Sequence, residues 1–239
     1  MSLDFNKIID NTPPPPPPQQ ENDKKKKETA VKYSNSFFGG QRIVLPYHQK
    51  QNNGPYLPEG HLSIEIIGAS GSGKSYYLLS LIPQLKLCQI AIFSLIQGNP
   101  VYKEIEKYCH EKNIDYYFAS DIDEVKSTLE NMLESKQENI YGLIIFDDWN
   151  ESTTMRNNPY MKVMNTVNSM FRNYKYHTCF ITQSATNIST LTRNNANVRV
   201  IFRMNDKFAI DSIRNDFIGN TGYTAKDFDE LYEYIKQTP

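Results

Sequence analysis

Cysteine, histidine and tryptophan are scarce, and the first two shortages each remove a class of function. The three cysteines, Cys88, Cys109 and Cys179, stand far apart with no C-x-x-C pair, so neither a disulfide framework nor a thiolate metal cluster is available. Cys88 and Cys179 lie in or beside apolar runs and read as buried thiols of a reducing compartment. Four histidines without metal-ligand spacing argue against a structural zinc site. An excess of either charge is also missing. With 26 Lys and Arg against 27 Asp and Glu, the formal net charge is −1, which excludes a uniformly basic nucleic-acid coat but leaves room for a local basic loop. No apolar run approaches the roughly 18 residues of a membrane span, and the N-terminus has no signal-peptide core. A soluble, intracellular chain with one sizeable α/β domain and a tail is expected from 239 residues.

What is present is concentrated in residues 62–80, LSIEIIGASGSGKSYYLLS. The apolar run Leu62 to Ile67 stops at Gly68, passes through small residues and resumes as a helical pattern at Lys74. The loop Gly68-Ala69-Ser70-Gly71-Ser72-Gly73-Lys74-Ser75 satisfies G-x-x-x-x-G-K-[ST] in full. Glycine is needed where the backbone takes positive φ and passes close to a ligand, so that successive N–H groups converge on a polyphosphate. The following helix adds its N-terminal amides, the first of them at Lys74, Ser75 and Tyr76. Lys74 can then reach the β- and γ-phosphates, and the Ser75 hydroxyl can ligate Mg²⁺. A glycine–serine turn that carries a lysine by chance would share the spacing, but not the strand before and the helix after it. ATP binding with Mg²⁺ follows.

Elsewhere strands and helices alternate. Strands are expected over 89–95, 114–119, 141–148, 178–183 and 198–204, and helices over 101–112, 122–134, 158–175, 208–217 and 225–236; Ser184 to Asn197 reads as a polar loop. Such alternation predicts a parallel central sheet with helices on both faces and ligands at the carboxyl edge. The strand Tyr141 to Asp148 ends in two acids. Asp147 suits the Mg²⁺ shell and Asp148 suits orienting or deprotonating the attacking water, although an aspartate pair alone would more often begin a turn. The strand Thr178 to Gln183 ends in a glutamine that can bond a phosphate oxygen and a water together; Arg172 ends the preceding helix, where it could equally complement the helix dipole. Residues 1–32, with Pro13 to Pro18 and Lys24 to Lys27, read as a disordered tail. Residues 33–60 form an extension with one short strand near Arg42 to Pro46, and residues 61–239 form the nucleotide domain.

In this order the motifs resemble the FtsK/HerA superfamily of ring-forming DNA translocases, and most of all the packaging ATPases of large DNA viruses and virophages, of poxvirus type. The specific match lies in FRNYKYHTCFITQ, residues 171–183, and in LTRNNANVRVIFR, residues 191–203. The resemblance implies a P-loop NTPase of the ASCE/RecA-like type, a homo-oligomeric ring, pentameric or hexameric, and a motor driving double-stranded DNA into a capsid or procapsid vertex in the host cytoplasm or viral factory. It implies Gln183 as a sensor and Arg172 as a finger reaching a neighbour's ATP, with Arg199 the next candidate. The family often carries Glu where this chain has Asp148, and Glu151 could substitute. DNA contacts fall to the loops 150–158, with Arg156, and 184–197, with Arg193, by phosphate recognition. A helicase or segregation translocase, and an ATP-dependent assembly switch with little hydrolysis, are the competing readings.

Overall fold

The computed structural model of the chain describes residues 31–34, 42–45, 57–135, 140–149 and 159–237. The proline and lysine tail, Glu151 and the loop with Arg156 lie outside the described residues. Near the N-terminus, β1 (Val31–Ser34) and β2 (Arg42–Leu45) form an antiparallel pair of their own.

Every central strand of the main sheet is buried on both faces, which is why each reads in the sequence as an almost unbroken apolar run. These strands are β3 (Ser63–Ile67), β4 (Leu87–Ser94), β6 (Tyr141–Asp147) and β7 (Tyr176–Thr182), with β5 (Asp115–Ala119) and β8 (Val198–Ile201) at the edges. Their order is β5-β4-β6-β7-β3-β8, and all pairings are parallel. Parallel strands need long crossovers, and the helices supply them. α1 (Lys74–Leu81) and α2 (Pro100–Lys112) cover one face, laying Leu78, Leu81, Val101 and Ile105 on Ile64, Ile66, Ile90 and Ile145. On the other face lie α3 (Ile122–Ser135) and α4 (Pro159–Met170), whose Val125, Leu129, Val163 and Val167 meet Phe93, Ile144, Phe146 and Phe180. α6 (Lys207–Thr221) and α7 (Ala225–Gln237) pack around Ile67 through Ala209, Ile213, Phe228 and Tyr232.

The expected layers are therefore present, with differences at several ends: the helix expected over 158–175 stops at Met170 and gives way to a 3-10 turn, Phe171–Tyr174, and β1 begins at Val31, within the stretch read as a tail. Within the stretch read as a polar loop, Ala185–Asn187 forms a 3-10 turn and Thr190–Asn195 a short helix, α5. Ser184 and Ser189 cap the two, accepting from the Thr186 and Thr192 amides; six residues are too few to display a helical period, and the capping serines look like loop composition. The last strand also stops at Ile201 rather than Met204. All three cysteines are buried, and none of them forms a disulfide. Among the described residues no helix is long and apolar enough to cross a membrane.

One polar cluster interrupts this apolar construction. Glu65, in the middle of β3, pairs with Arg199 Nε of β8 at 2.9 Å; Asp216 of α6 meets Arg193 Nε at 3.1 Å and Arg199 at 4.0 Å. Burial pushes the Glu65 carboxyl up to about 7, outweighing the Arg199 and Arg193 guanidinium groups, while Asp216 adds to the rise. An acid whose folded value is raised stabilises the fold fully below its ordinary value and loses that contribution as pH rises through the folded value. Glu65→Gln should therefore flatten the decline in stability between about pH 5 and pH 8 by on the order of 1–3 kcal/mol, as measured by urea unfolding at the two pH values. An unchanged slope would mean that Glu65 keeps its charge inside the fold.

Candidate active site

Parallel strands deliver their carboxyl ends to one edge, and four segments of interest meet there. The phosphate loop follows β3 and is tied to both neighbours: the Gly68 amide donates to the Thr182 carbonyl of β7, and the Ala69 amide to the Arg203 carbonyl after β8, each at 3.2 Å. Gly68 has no room for a side chain, since a Cβ would lie 2.5 Å from Phe202 Cβ and 2.7 Å from Ser72 Oγ. Gly73, the N-cap of α1, has φ 95° and no side-chain cap, which leaves the amides of the first helical turn facing an incoming anion. The buried Ser72 hydroxyl has no hydrogen-bond partner.

Lys74 is 7 % exposed and its Nζ donates to the Gly68 and Ala69 carbonyls, both at 2.9 Å. The ammonium thus spans the loop's own mouth. Burial lowers its pKa, against the pull of Asp148 and Asp147. Asp147, buried at the end of β6, accepts from Tyr102 Oη at 2.5 Å and from Ser75 Oγ at 3.4 Å. Burial raises its pKa, while the Tyr102 hydrogen bond opposes the rise. The converging hydroxyl and carboxylate form a hard-oxygen pair suited to Mg²⁺, a cation that takes few protein ligands and completes its shell with water and phosphate. The described residues hold no cluster of three or more His, Cys, Asp or Glu side chains able to bind a metal.

Asp148 turns out of the strand at φ 45°, a left-handed conformation that aspartate tolerates better than most residues. Its amide donates to the Ile181 carbonyl at 3.0 Å, and its Oδ2 accepts from Gln183 Nε2 at 3.0 Å. The two residues named from separate strand ends are thus in direct contact. Behind them is a cavity of about 230 Å³ lined by Asp148, Trp149, Phe180 and Gln183. The Trp149 indole is 2 % exposed, and its Nε1 has no partner, a state that costs about 1–3 kcal/mol. A second cavity of about 650 Å³ adjoins Ala69 to Ser72 and is walled by Phe202, Arg203, Asn205, Tyr234 and Ile235.

Tyr76 lies in the first turn of α1, so its amide belongs to the loop mouth, while its side chain is 69 % exposed. The remaining sequence candidates stand elsewhere. Arg172 is exposed in a 3-10 turn, Phe171–Tyr174, just before β7, and so occupies the amino edge of the sheet, roughly 20 Å from the phosphate loop at 3.3 Å per strand residue. There it helps hold the His61 pKa down, although burial is the larger cause. Arg199 is committed to Glu65 and donates to the Arg193 carbonyl at 2.8 Å; Arg193 is held by Asp216 and the Ala185 carbonyl. His177, part of the recognised motif, accepts from the Leu62 amide through Nδ1 at 3.0 Å and stacks on Tyr141, joining β7 to the start of β3. Sequence reasoning passed over Tyr102, because an aromatic on the apolar face of a helix looks like core, and Trp149, which follows the acid pair without a motif of its own.

The sequence profile of the poxvirus A32 protein family matches residues 51–215, more than half of the chain. No curated protein matches the sequence. Among solved structures, the cytoplasmic domain of EssC is similar at 12 % identity and a TM-score of 0.51, over 89 % of this chain and 50 % of that one. EssC ATPases 2 and 3 from Geobacillus thermodenitrificans match at 12 % identity and 0.51, over 95 % and 53 %. B204, the DNA-packaging ATPase of Sulfolobus turreted icosahedral virus, gives 17 % identity and 0.49, over 72 % and 88 %. The chain spans about half the length of each EssC structure, and that likeness is one of fold.

Removing the Tyr102 hydroxyl leaves the buried Asp147 carboxylate one donor short. Tyr102→Phe should lower stability by about 1–3 kcal/mol in urea unfolding near neutral pH. An unchanged midpoint would show that the Tyr102 hydroxyl does not stabilise Asp147.

Proposed function

The chain belongs to the poxvirus A32 protein family, and from that premise we propose that it is an ATP-hydrolysing motor that moves double-stranded viral DNA into a capsid. The observation that carries this reading is the meeting, at one sheet edge, of Lys74 and Ser75 with Asp147 and the Asp148–Gln183 pair. The resemblance of residues 171–203 to packaging ATPases narrows the hydrolase to a translocase.

On this reading ATP lies with its phosphates in the loop and its nucleoside in the 650 Å³ cavity, against Phe202 and Tyr234. Lys74 exchanges the Gly68 and Ala69 carbonyls for β- and γ-phosphate oxygens, and the orphan Ser72 hydroxyl gains a partner. Ser75 and Asp147 would hold Mg²⁺, whose charge offsets that building on the phosphates. Asp148 takes a proton from water as the water oxygen bonds to the γ-phosphorus; the bond from that phosphorus to the bridging oxygen breaks, and its electron pair leaves with ADP. Gln183 moves from Asp148 toward water or γ-phosphate, and so registers whether the phosphate is still attached.

Arg172 serves a neighbouring subunit, because its place at the amino edge removes it from its own chain's phosphates. That role requires a homo-oligomeric ring. Arg199 and Arg193 are engaged within the fold, which leaves Arg172 the better finger and weakens the case for Arg193 at DNA. Virion assembly in the cytoplasm or viral factory is the setting this function implies.

Purified protein should hydrolyse ATP faster with duplex DNA, and Lys74→Ala should lower turnover by about 100-fold or more; undiminished turnover would remove the loop from the mechanism. Mixing Lys74→Ala with Arg172→Ala protein should restore part of the activity through interfaces that pair an intact loop with an intact finger. No rescue at ring-forming concentrations would exclude Arg172 from that role. Association of the protein with replication forks, and its absence from assembling particles, would favour a helicase or segregation translocase.

A further inference from the structure

Trp149 is the only tryptophan of the chain, and it follows directly on Asp148. Its ring packs at 6.3 Å from the Phe93 ring and edge-on to Tyr160 at 5.2 Å. Packing explains an aromatic there but not a tryptophan, since phenylalanine would join the same apolar cluster without burying a donor. The donor is buried and has no acceptor among the described residues, whereas nearly all buried polar groups have a partner. The 230 Å³ cavity that Trp149 lines is where an acceptor can stand.

The cavity's chemistry selects the occupant. It is lined by the apolar Phe146, Met164 and Phe180 and by the Asp148 carboxylate and the Thr182, Gln183 and Asn187 side chains. The carboxylate repels an anion, and the indole N–H asks for an acceptor. Water meets both demands. It accepts from the indole and donates to the carboxylate, and at about 30 Å³ per molecule several waters fit.

We infer that this cavity is a water store for the hydrolysis step, with Trp149 the positioning residue that anchors it. Trp149 Nε1 donates to a water whose own hydrogens are thereby directed toward the Asp148 carboxylate, and Gln183 bounds the cluster on its other side. The carboxylate is fixed from behind, and water stands beside it when nucleotide covers the sheet edge. This inference rests on the reading of the site as an ATP hydrolase and deepens it.

Two measurements on the full chain test it. Trp149→Phe keeps a ring and deletes the N–H; kcat should fall about tenfold while KM for ATP and the melting temperature hold. Wild-type kcat overturns the inference, and so does a loss of kcat that comes with a collapsed melting temperature, because packing would then be the cause. In the second measurement, emission of wild-type protein arises from Trp149 alone among tryptophans. It should be that of a water-contacting indole, gaining intensity on transfer from H2O to D2O, whereas blue, isotope-insensitive emission would mean a dry cavity and overturn the proposal. The fluorescence needs no turnover. A wild type that hydrolyses no ATP but shows hydrated emission sinks the hydrolase reading and leaves a hydrated cavity without a hydrolytic role, whereas dry emission with full hydrolysis sinks the water store alone.

Discussion

Two backbone hydrogen bonds, from Gly68 to Thr182 and from Ala69 to Arg203, hold the phosphate loop between the ends of its two neighbouring strands. Everything at the site depends on that suspension. One bond ties the loop to Thr182, the last residue of β7 before Gln183, and the other ties it to the connection that leads into α6 and α7. Any shift of the loop would therefore be passed on in two directions, toward the Gln183–Asp148 contact and toward the segment that walls the larger cavity with α7. Steric closure makes this firm, because the lack of room for a Cβ at Gly68 leaves the loop little space in which to move without carrying Phe202 along.

The electrostatics fit a site whose counter-charge arrives with its ligand. Burial lowers the Lys74 pKa and raises that of Asp147, so each charge is disfavoured for want of solvation rather than for want of a partner. A bound triphosphate with its cation would relieve both at once. Tyr102, at 2.5 Å, is the nearer of the two hydroxyls that donate to Asp147. It reaches the acid from α2, a helix whose sequence gives no sign of taking part.

The legible features were those dictated by local rules. The strand–loop–helix around Gly68 to Ser75, the apolar parallel strands and the acid-terminated β6 follow from periodicity, glycine and burial, and the observed boundaries lie within a few residues of those expected. Contacts between distant segments were not legible in this way. Nothing in the sequence indicates that Gln183 rests on Asp148, that Arg199 answers a buried Glu65 134 positions earlier, or that Arg193 is drawn to Asp216. Each depends on strand order, and the order β6-β7-β3-β8 is not the chain order. Glu65 did leave a signal, as a charge in the middle of a buried strand, and the apolar run around it hid that signal.

The separation of Arg172 from the phosphate loop has a consequence for symmetry. With the two groups on opposite edges of one sheet, a subunit is a polar object, with the Arg172 guanidinium at one end and the phosphate loop at the other. A two-fold dimer buries the same patch from both partners and so would need both ends within one patch. Head-to-tail contact satisfies the arrangement with a single kind of interface, repeated until the rotation closes on itself. If Arg172 acts on a neighbour as proposed, such a closed assembly would have no terminal subunit, and hydrolysis in one member would be felt by the next in a fixed rotational sense.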